Sequence, residues 1–172
     1  TVTDGTILID GPENSGNGAL DYTTEFNMSG GLLVAAGSSG MMQTVSTTSS
    51  QYCISVVTTA YQSKNTLFNI SDSEGNSILT YMPSKKYNSV VICSPDIIEG
   101  ETYTVSCGGE TTGEDDGNGF YTDGSYSGGD EVGSVTISQI INQIGSGGGM
   151  NGGDIPSGNG GGMHGGRPDR MN

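Results

Sequence analysis

The sequence lacks tryptophan and is poor in basic residues, with 5 Lys and Arg against 19 Asp and Glu among 172 residues. The formal net charge is -14, so we expect no nucleic-acid partner, because binding a polyanion requires a cationic face. No apolar run approaches the roughly 20 residues of a membrane-spanning helix, and membrane insertion is not expected. The acidity instead permits binding of hard cations, which prefer carboxylate and amide oxygens.

Cysteine and histidine are also scarce, which limits disulfide and metal chemistry. The three cysteines, Cys53, Cys93 and Cys107, make a disulfide framework improbable. Cys93 and Cys107 lie on successive apolar runs and could form a bridge in an exported protein, but we expect all three to be apolar core residues. No cysteine pair has the short spacing of a metal site, and the sole histidine, His164, lies near the C-terminus.

Glycine, at 31 residues, is abundant and marks an internal repeat. TVTDGTILIDG at Thr1–Gly11 matches NMSGGLLVAAG at Asn27–Gly37, displaced by 26 residues. The matched positions are Val2 with Met28, Thr3 with Ser29, Gly5 with Gly31, Ile7 with Leu33, and Gly11 with Gly37. Repeats of about this length are typical of stacked units, so residues 1–42 are predicted to be coils of a parallel β-helix. Because a solenoid needs about three repeats, we expect further coils, and a signal peptide, before Thr1.

The remainder of the chain has a different pattern. Residues 43–50 are rich in Ser and Thr and predict an extended connection. Residues 51–144 contain short β-rich runs separated by turn clusters, which are typical of a small antiparallel β-unit. We expect this unit to cap the open end of the β-helix. SDSEGN at Ser71–Asn76 predicts a hairpin loop with Gly75 at positive φ. Residues 145–172, rich in Gly, Met and Asn, predict a disordered tail. The predicted fold class is therefore all-β.

Several segments resemble a known family. ILIDGPENSGNGALDY at Ile7–Tyr22 and FNMSGGLLVAAGSSGMMQ at Phe26–Gln43 are similar to bacterial carbohydrate-binding β-helix proteins described as cellulose- and acid-sugar-binding, with a polysaccharide-lyase-like fold. The similarity continues through LTYMPSKKYNSVVICSPDIIEGETYTVSCGG at Leu79–Gly109 and YSGGDEVGSVTIS at Tyr126–Ser138, and covers nearly the whole chain as the C-terminal portion of a longer protein. The three cysteines and the acid-rich stretch Gly109–Gly133 depart from the family pattern.

The resemblance implies both a structure and a function. The implied structure is a right-handed parallel β-helix with calcium bound among its coils. The implied function is binding of polygalacturonate-like or cellulosic polysaccharide at the cell surface, without established cleavage.

Two groups of oxygen-bearing side chains are candidates for a Ca²⁺ site. The first lies in a glycine-rich corner between the two repeats and comprises Asp10, Glu13, Asn14, Asn17 and Asp21. Asp21 is the preferred ligand, because it follows Leu20, which is expected to point inward. The second, in the acidic stretch, comprises Asp115, Asp116 and Asn118, flanked by Glu114 and Asp123. It resembles a helix–loop–helix calcium loop without filling all of its ligand positions. The alternative for both groups is a solvated turn.

Candidate sugar-binding residues are tyrosines and lysines. Tyr22 offers an aromatic face for stacking, although a half-buried strand residue is the alternative. Lys85 and Lys86, with Lys64, could hold the carboxylates of an acidic sugar polymer. Because the whole chain is acidic, calcium bridges between protein and polymer are favoured as well.

The predicted function is non-catalytic, calcium-dependent polysaccharide binding outside the cell or at its surface. A lyase requires a base and several cations at one site, and five basic residues make an enzyme less favoured. The alternatives are a structural or adhesive cell-surface β-helix protein stabilised by calcium, or a fragment of a polysaccharide lyase.

Overall fold

A computed structural model describes residues 1–145, and the predicted tail beyond residue 145 lies outside the described residues. The prediction of an all-β fold is confirmed, because the secondary structure of the described part consists of strands and turns. Within it, no helix has the length and apolar character needed to span a membrane.

The described strands form two sheets. The first sheet contains, in spatial order, β1 (Thr6–Asp10), β2 (Leu32–Gly37), β6 (Tyr87–Cys93), β3 (Cys53–Gln62) and β11 (Ile141–Ile144). The second sheet contains, in spatial order, β10 (Tyr126–Thr136), β7 (Thr102–Thr111), β4 (Phe68–Ser71), β5 (Ser77–Tyr81), β9 (Phe120–Thr122) and β8 (Glu114–Asp115).

The internal repeat corresponds to the parallel pair β1 and β2. Its register joins Thr6 to Leu32, which is the 26-residue displacement read from the sequence, and an isolated parallel bridge joins Val2 to Met28. Gly5 and Gly31 turn the chain ahead of each strand with φ of 90° and 77°. The two turns stack, because Leu32 N donates to Gly5 O at 2.8 Å.

A right-handed parallel β-helix is not shown by the described residues, whose sheets are mostly antiparallel. The strand beside β2 is β6, which is antiparallel to both β2 and β3, and parallel pairing returns only between β3 and β11. The physical reason is that residues 43–144 carry no third copy of the repeat that could continue the parallel stack. The predicted boundary at residue 42 therefore falls within one continuous sheet.

The Ser/Thr-rich segment 43–50 packs against the chain rather than lying free. Thr44, Val45, Ser46 and Ser49 are buried. Two serine hydroxyls of the segment bond to the backbone of the preceding loop: Ser46 Oγ accepts from Phe26 N at 2.9 Å, and Ser49 Oγ accepts from Met28 N at 3.1 Å. The segment thus runs alongside the preceding loop and is attached to it by hydrogen bonds from backbone N–H groups to side chains.

The first sheet is buried on both faces. One core lies between the two sheets and includes Val34, Ile54, Ile92, Phe68, Tyr81 and Val105. The other lies on the opposite face and includes Leu33, Ala35, Val91, Leu20, Met28, Met42 and Val45. Burial on both faces explains why the central strands read as continuous apolar runs rather than alternating ones.

The cysteines differ from the prediction. All three are buried, as expected of core residues, but Cys53 and Cys93 form a disulfide between β3 and β6, and only Cys107 is a free thiol. Cys53 lies directly opposite Cys93 in the antiparallel ladder, with Cα atoms 4.2 Å apart. The considered Cys93–Cys107 bridge is wrong, because Cys107 belongs to the second sheet and packs in the core between the sheets.

The predicted hairpin at Ser71–Asn76 is confirmed, joining β4 to β5 with Gly75 at a φ of 86°. Asp72 closes the loop: its Oδ1 accepts from Glu74 N at 2.9 Å and from Asn76 N at 2.8 Å. These bonds fix the loop through one carboxylate.

Replacing Gly31 with alanine should destabilise the fold more than replacing Gly5. Positive φ costs an alanine about 1 kcal/mol at either position. At Gly31 the new Cβ would also meet Gly5 O at 2.6 Å, whereas at Gly5 it would meet no atom within 4 Å. Urea unfolding of the two variants measures the difference, and equal losses would contradict the close stacking of the two turns.

Joint replacement of Cys53 and Cys93 by alanine should lower the free energy of unfolding by about 2–4 kcal/mol, because the unfolded chain is no longer cross-linked. Denaturant unfolding of the oxidised protein and the variant gives the value. Thiol titration of unfolded, unreduced protein is the control: Cys107 alone should react, and reaction of all three cysteines would refute the bridge.

Candidate functional site

A cleft of about 700 Å³ opens between β1 and the β8–β9 hairpin. Its lining residues are Thr6, Leu8, Asp10, Asn65, Tyr81, Met82, Ser84 and the hairpin residues Asp115, Asp116, Gly117, Asn118 and Gly119. The first and second candidate calcium groups therefore meet here, through Asp10 on one wall and Asp115 and Asp116 on the other. We call it the acidic cleft.

Asp10, at the end of β1, is bound by the segment that connects β5 to β6. Its Oδ1 accepts from the Tyr81 hydroxyl at 2.9 Å, and its Oδ2 accepts from Ser84 N at 2.8 Å and from the Ser84 hydroxyl. Its backbone carbonyl accepts from Lys85 Nζ at 3.0 Å. Burial, and then the bond to Asp10, raises the pKa of Tyr81 above its usual value, so its hydroxyl remains a donor.

The other members of the first group do not converge on Asp10. Glu13 Oε1 accepts from Lys86 N at 3.2 Å. Asn14 Oδ1 accepts from Gly16 N at 3.0 Å, and Asn17 Oδ1 from Gly18 N at 2.9 Å, so both close local turns. Asp21 is exposed, and its side chain has no partner among residues 1–145.

The second group closes a hairpin loop. Asp115 Oδ1 accepts from Gly117 N and Gly119 N, both at 2.9 Å. Asp116 Oδ1 accepts from Asn118 N at 2.7 Å and Phe120 N at 3.3 Å, and its Oδ2 accepts from Asn118 Nδ2 at 3.3 Å. Part of the acid-rich stretch Gly109–Gly133 thus forms the strands β8 and β9.

Asp116 and Asp72 occupy equivalent positions in their two hairpins, since each Oδ1 accepts from the backbone N–H groups two and four residues later. Both carboxyls have a lowered pKa. The side-chain amide of Asn76 is the largest cause for Asp72, and the backbone N–H of Asn118 for Asp116. These carboxylates therefore accept hydrogen bonds from the backbone of their own hairpin loops.

The described carboxylates, as arranged, do not fit Ca²⁺. No three His, Cys, Asp or Glu side chains within residues 1–145 form a group that could hold a metal ion. Calcium takes six to eight oxygens, whereas both carboxylate oxygens of Asp10 and of Asp116, and Oδ1 of Asp115, already accept donors from the chain itself. Calcium stays a prediction of the resemblance.

The lysines of the described part lie together beside the acidic cleft, in two segments that we call the lysine loops. Lys64 lies in residues 63–67, and Lys85 and Lys86 lie in residues 82–86. The loops are joined by the bond from Asn65 N to Pro83 O at 2.8 Å. Within residues 1–145 none of the three ammonium groups forms an ion pair with a carboxylate. Their charges are therefore not neutralised by a carboxylate of the described part.

Tyr61 accompanies the lysines and was missed by the sequence analysis. It is 44% exposed, and Lys86 Nζ lies 5.3 Å from its ring centroid. Its hydroxyl lies 3.0 Å from Ser38 Oγ. The second half of β3, where Tyr61 lies, is mostly exposed whereas the first half is buried, and no periodicity in the sequence marks this change.

Tyr22, the predicted stacking residue, is hydrogen-bonded to the start of the segment 43–50. Its hydroxyl donates to Thr44 O at 2.6 Å, its backbone N donates to Gln43 Oε1 at 2.8 Å, and its ring lies 6.0 Å from that of Phe26. Its contacts therefore favour the structural alternative for this side chain.

No known protein family, curated protein or solved structure matches this chain. The resemblance to carbohydrate-binding β-helix proteins stays a prediction, and the functional argument depends on the site itself.

The two hairpin carboxylates should make stability depend on acidic pH. Their folded pKa values lie below the ordinary 3.8, so their contribution is complete above that pH and is lost as pH falls through the folded values. Asp72→Asn and Asp116→Asn should each be less stable than the wild type at neutral pH and lose less on acidification.

Urea unfolding from neutral pH to about pH 2 measures this dependence. The control is Asp21→Asn, which removes a carboxylate that accepts no hydrogen bond in the described part. The same acid dependence in the wild type and both hairpin variants would contradict the assignment.

Proposed function

We propose that this protein binds acidic polysaccharide, without cleaving it, through the lysine loops. The observation that carries the proposal is the grouping of three lysines on two joined loops of an acidic chain, where no ammonium group forms an ion pair with a carboxylate of residues 1–145. A polymer of uronic acid, such as polygalacturonate, presents carboxylates at regular intervals and can engage several lysines at once. Cellulose, the other polysaccharide implied by the resemblance, carries no carboxylate and would not use these charges.

The net negative charge of the chain repels an anionic ligand, whereas the lysines attract it, and distance decides which of these two effects is larger. At physiological salt, charges further than about 8 Å away are largely screened. A carboxylate in contact with Lys85 or Lys86 therefore responds to these lysines and to the adjacent Asp10 and Glu13, rather than to the net charge of -14. Each ammonium supplies three donors, and charge-assisted bonds to a carboxylate are stronger than neutral ones.

Tyr61 adds an apolar surface to the same site. An exposed aromatic ring can stack against the C–H face of a sugar while its hydroxyl stays bonded, here near Ser38. Lys86, beside this ring, is placed to hold a carboxylate of the stacked residue or its neighbour. The combination of ring and charge suits an acidic sugar better than a small inorganic anion.

We also propose that the protein acts outside the cell or at its surface, and that β1 and β2 continue a right-handed parallel β-helix. The Cys53–Cys93 disulfide supports export, because disulfides persist in oxidising compartments. The helix is supported by the 26-residue register and by β1, whose outer edge has no strand partner among the described residues.

Replacing Lys85 and Lys86 together with glutamine should weaken binding to polygalacturonate about tenfold or more, because two charge-assisted contacts are lost. Replacing both with arginine, which keeps the charge, is the matched control and should retain most of the affinity. Affinity electrophoresis through gels containing the polymer measures both variants.

A wild-type protein that is not retarded by the polymer would refute the proposal, as would equal retardation of the glutamine variant. A structural or adhesive role would instead leave binding absent and change only the melting temperature with calcium. Release of unsaturated uronate, read by its ultraviolet absorbance, would indicate a lyase.

A further inference from the structure

We infer that Asp10 is a positioning residue for the lysine loop 82–86 rather than a calcium ligand, and that acid-sugar binding by this chain does not require calcium. The inference rests on the proposed function and names how its site is held in place. The starting observation is that two of the carboxylates expected to bind Ca²⁺, those of Asp10 and Glu13, are bonded to the segment that carries Lys85 and Lys86.

The contacts of Asp10 join positions far apart in the sequence. Both oxygens of its carboxylate and its backbone carbonyl accept donors from the segment containing Tyr81, Ser84 and Lys85. Glu13 adds a bond to Lys86 N at 3.2 Å. We call these contacts the Asp10 latch. Together they tie the turn after β1 to the entry of β6.

Calcium at Asp10 would compete with this latch. Oδ2 already accepts two donors from Ser84, which uses both of its lone pairs. A metal ion could take that oxygen only by displacing Ser84 and releasing the loop. Lys85 Nζ, 3.0 Å from the Asp10 carbonyl, would also repel a dication in the same corner. Metal binding here and presentation of the lysines therefore oppose each other.

The latch favours polymer binding by ordering the loop in advance. Lysine has a long, flexible side chain, and an unordered loop would lose further entropy when it binds. With Ser84 fixed by Asp10 and Lys86 N fixed by Glu13, only the side chains remain to be ordered. Lys86 is already placed beside Tyr61.

The test is calorimetric titration of the full 172-residue chain with a galacturonate oligomer too short to gel, in chelator and again in calcium. Wild-type affinity should be the same in both. Asp10→Asn and Ser84→Ala should each weaken binding about fivefold, by loss of preorganisation rather than of a ligand contact. Ser84→Thr, which keeps both donors, should restore the affinity lost in Ser84→Ala.

Two further variants separate the latch from metal binding and from general charge. Glu101→Gln removes one exposed negative charge at a side chain with no partner in the described part, and should leave affinity unchanged. Asp21→Asn should also leave it unchanged, whereas a calcium site built on the first acidic group requires a loss. The double variant Asp10→Asn/Ser84→Ala should lose little more than either single variant, because both changes break the same contact.

The outcomes distinguish the two proposals. Binding seen only with calcium, loss of affinity in Asp21→Asn, or full affinity in Ser84→Ala would overturn the inference and leave polysaccharide binding standing. Failure of the wild type to bind the oligomer in either buffer would overturn the proposed function, and the inference with it.

Discussion

The insertion of β6 between β2 and β3 is the contact on which the rest of the structure depends. It joins the parallel repeat to the antiparallel part of the chain in one sheet. It also brings Cys93 opposite Cys53, and it gives both cores their central strand. Without this pairing, the edge of β2 would be open, and β1 and β2 would form a sheet of only two strands, too few for independent stability.

The position of the candidate site follows from that pairing. Because β6 lies next to β2, and β2 next to β1, the loop entering β6 reaches the end of β1 and meets Asp10. The neighbouring lysine loop is carried there by β3, on the other side of β6. The acidic cleft and the lysines are thus neighbours because of strand order, and within residues 1–145 no ion pair neutralises their opposite charges.

Sequence patterns predicted the features that depend on adjacent residues. The 26-residue repeat gave the register of β1 against β2, and SDSEGN gave the hairpin at Gly75. The insertion of β6, the Cys53–Cys93 bridge and the meeting of Asp10 with Asp116 were not predicted. Each depends on which distant apolar faces pack together, and no local periodicity encodes that choice. Tyr61 was missed for the same reason, since β3 extends past β11 at this point and its pairing with β6 is irregular between Val57 and Gln62.

The pairing of β11 with β3 also bears on the order in which the molecule assembles. Asn142 donates to Cys53 O across 89 residues, so the edge of the first sheet closes only after nearly all of the described chain has been made. Strands that are distant in sequence pair slowly, because loop closure must precede their contacts. The disulfide involves only strands that precede residue 94, and it can form while that edge is still open. Oxidation would then cross-link β3 and β6 early and reduce the number of conformations from which β11 must find its place beside β3.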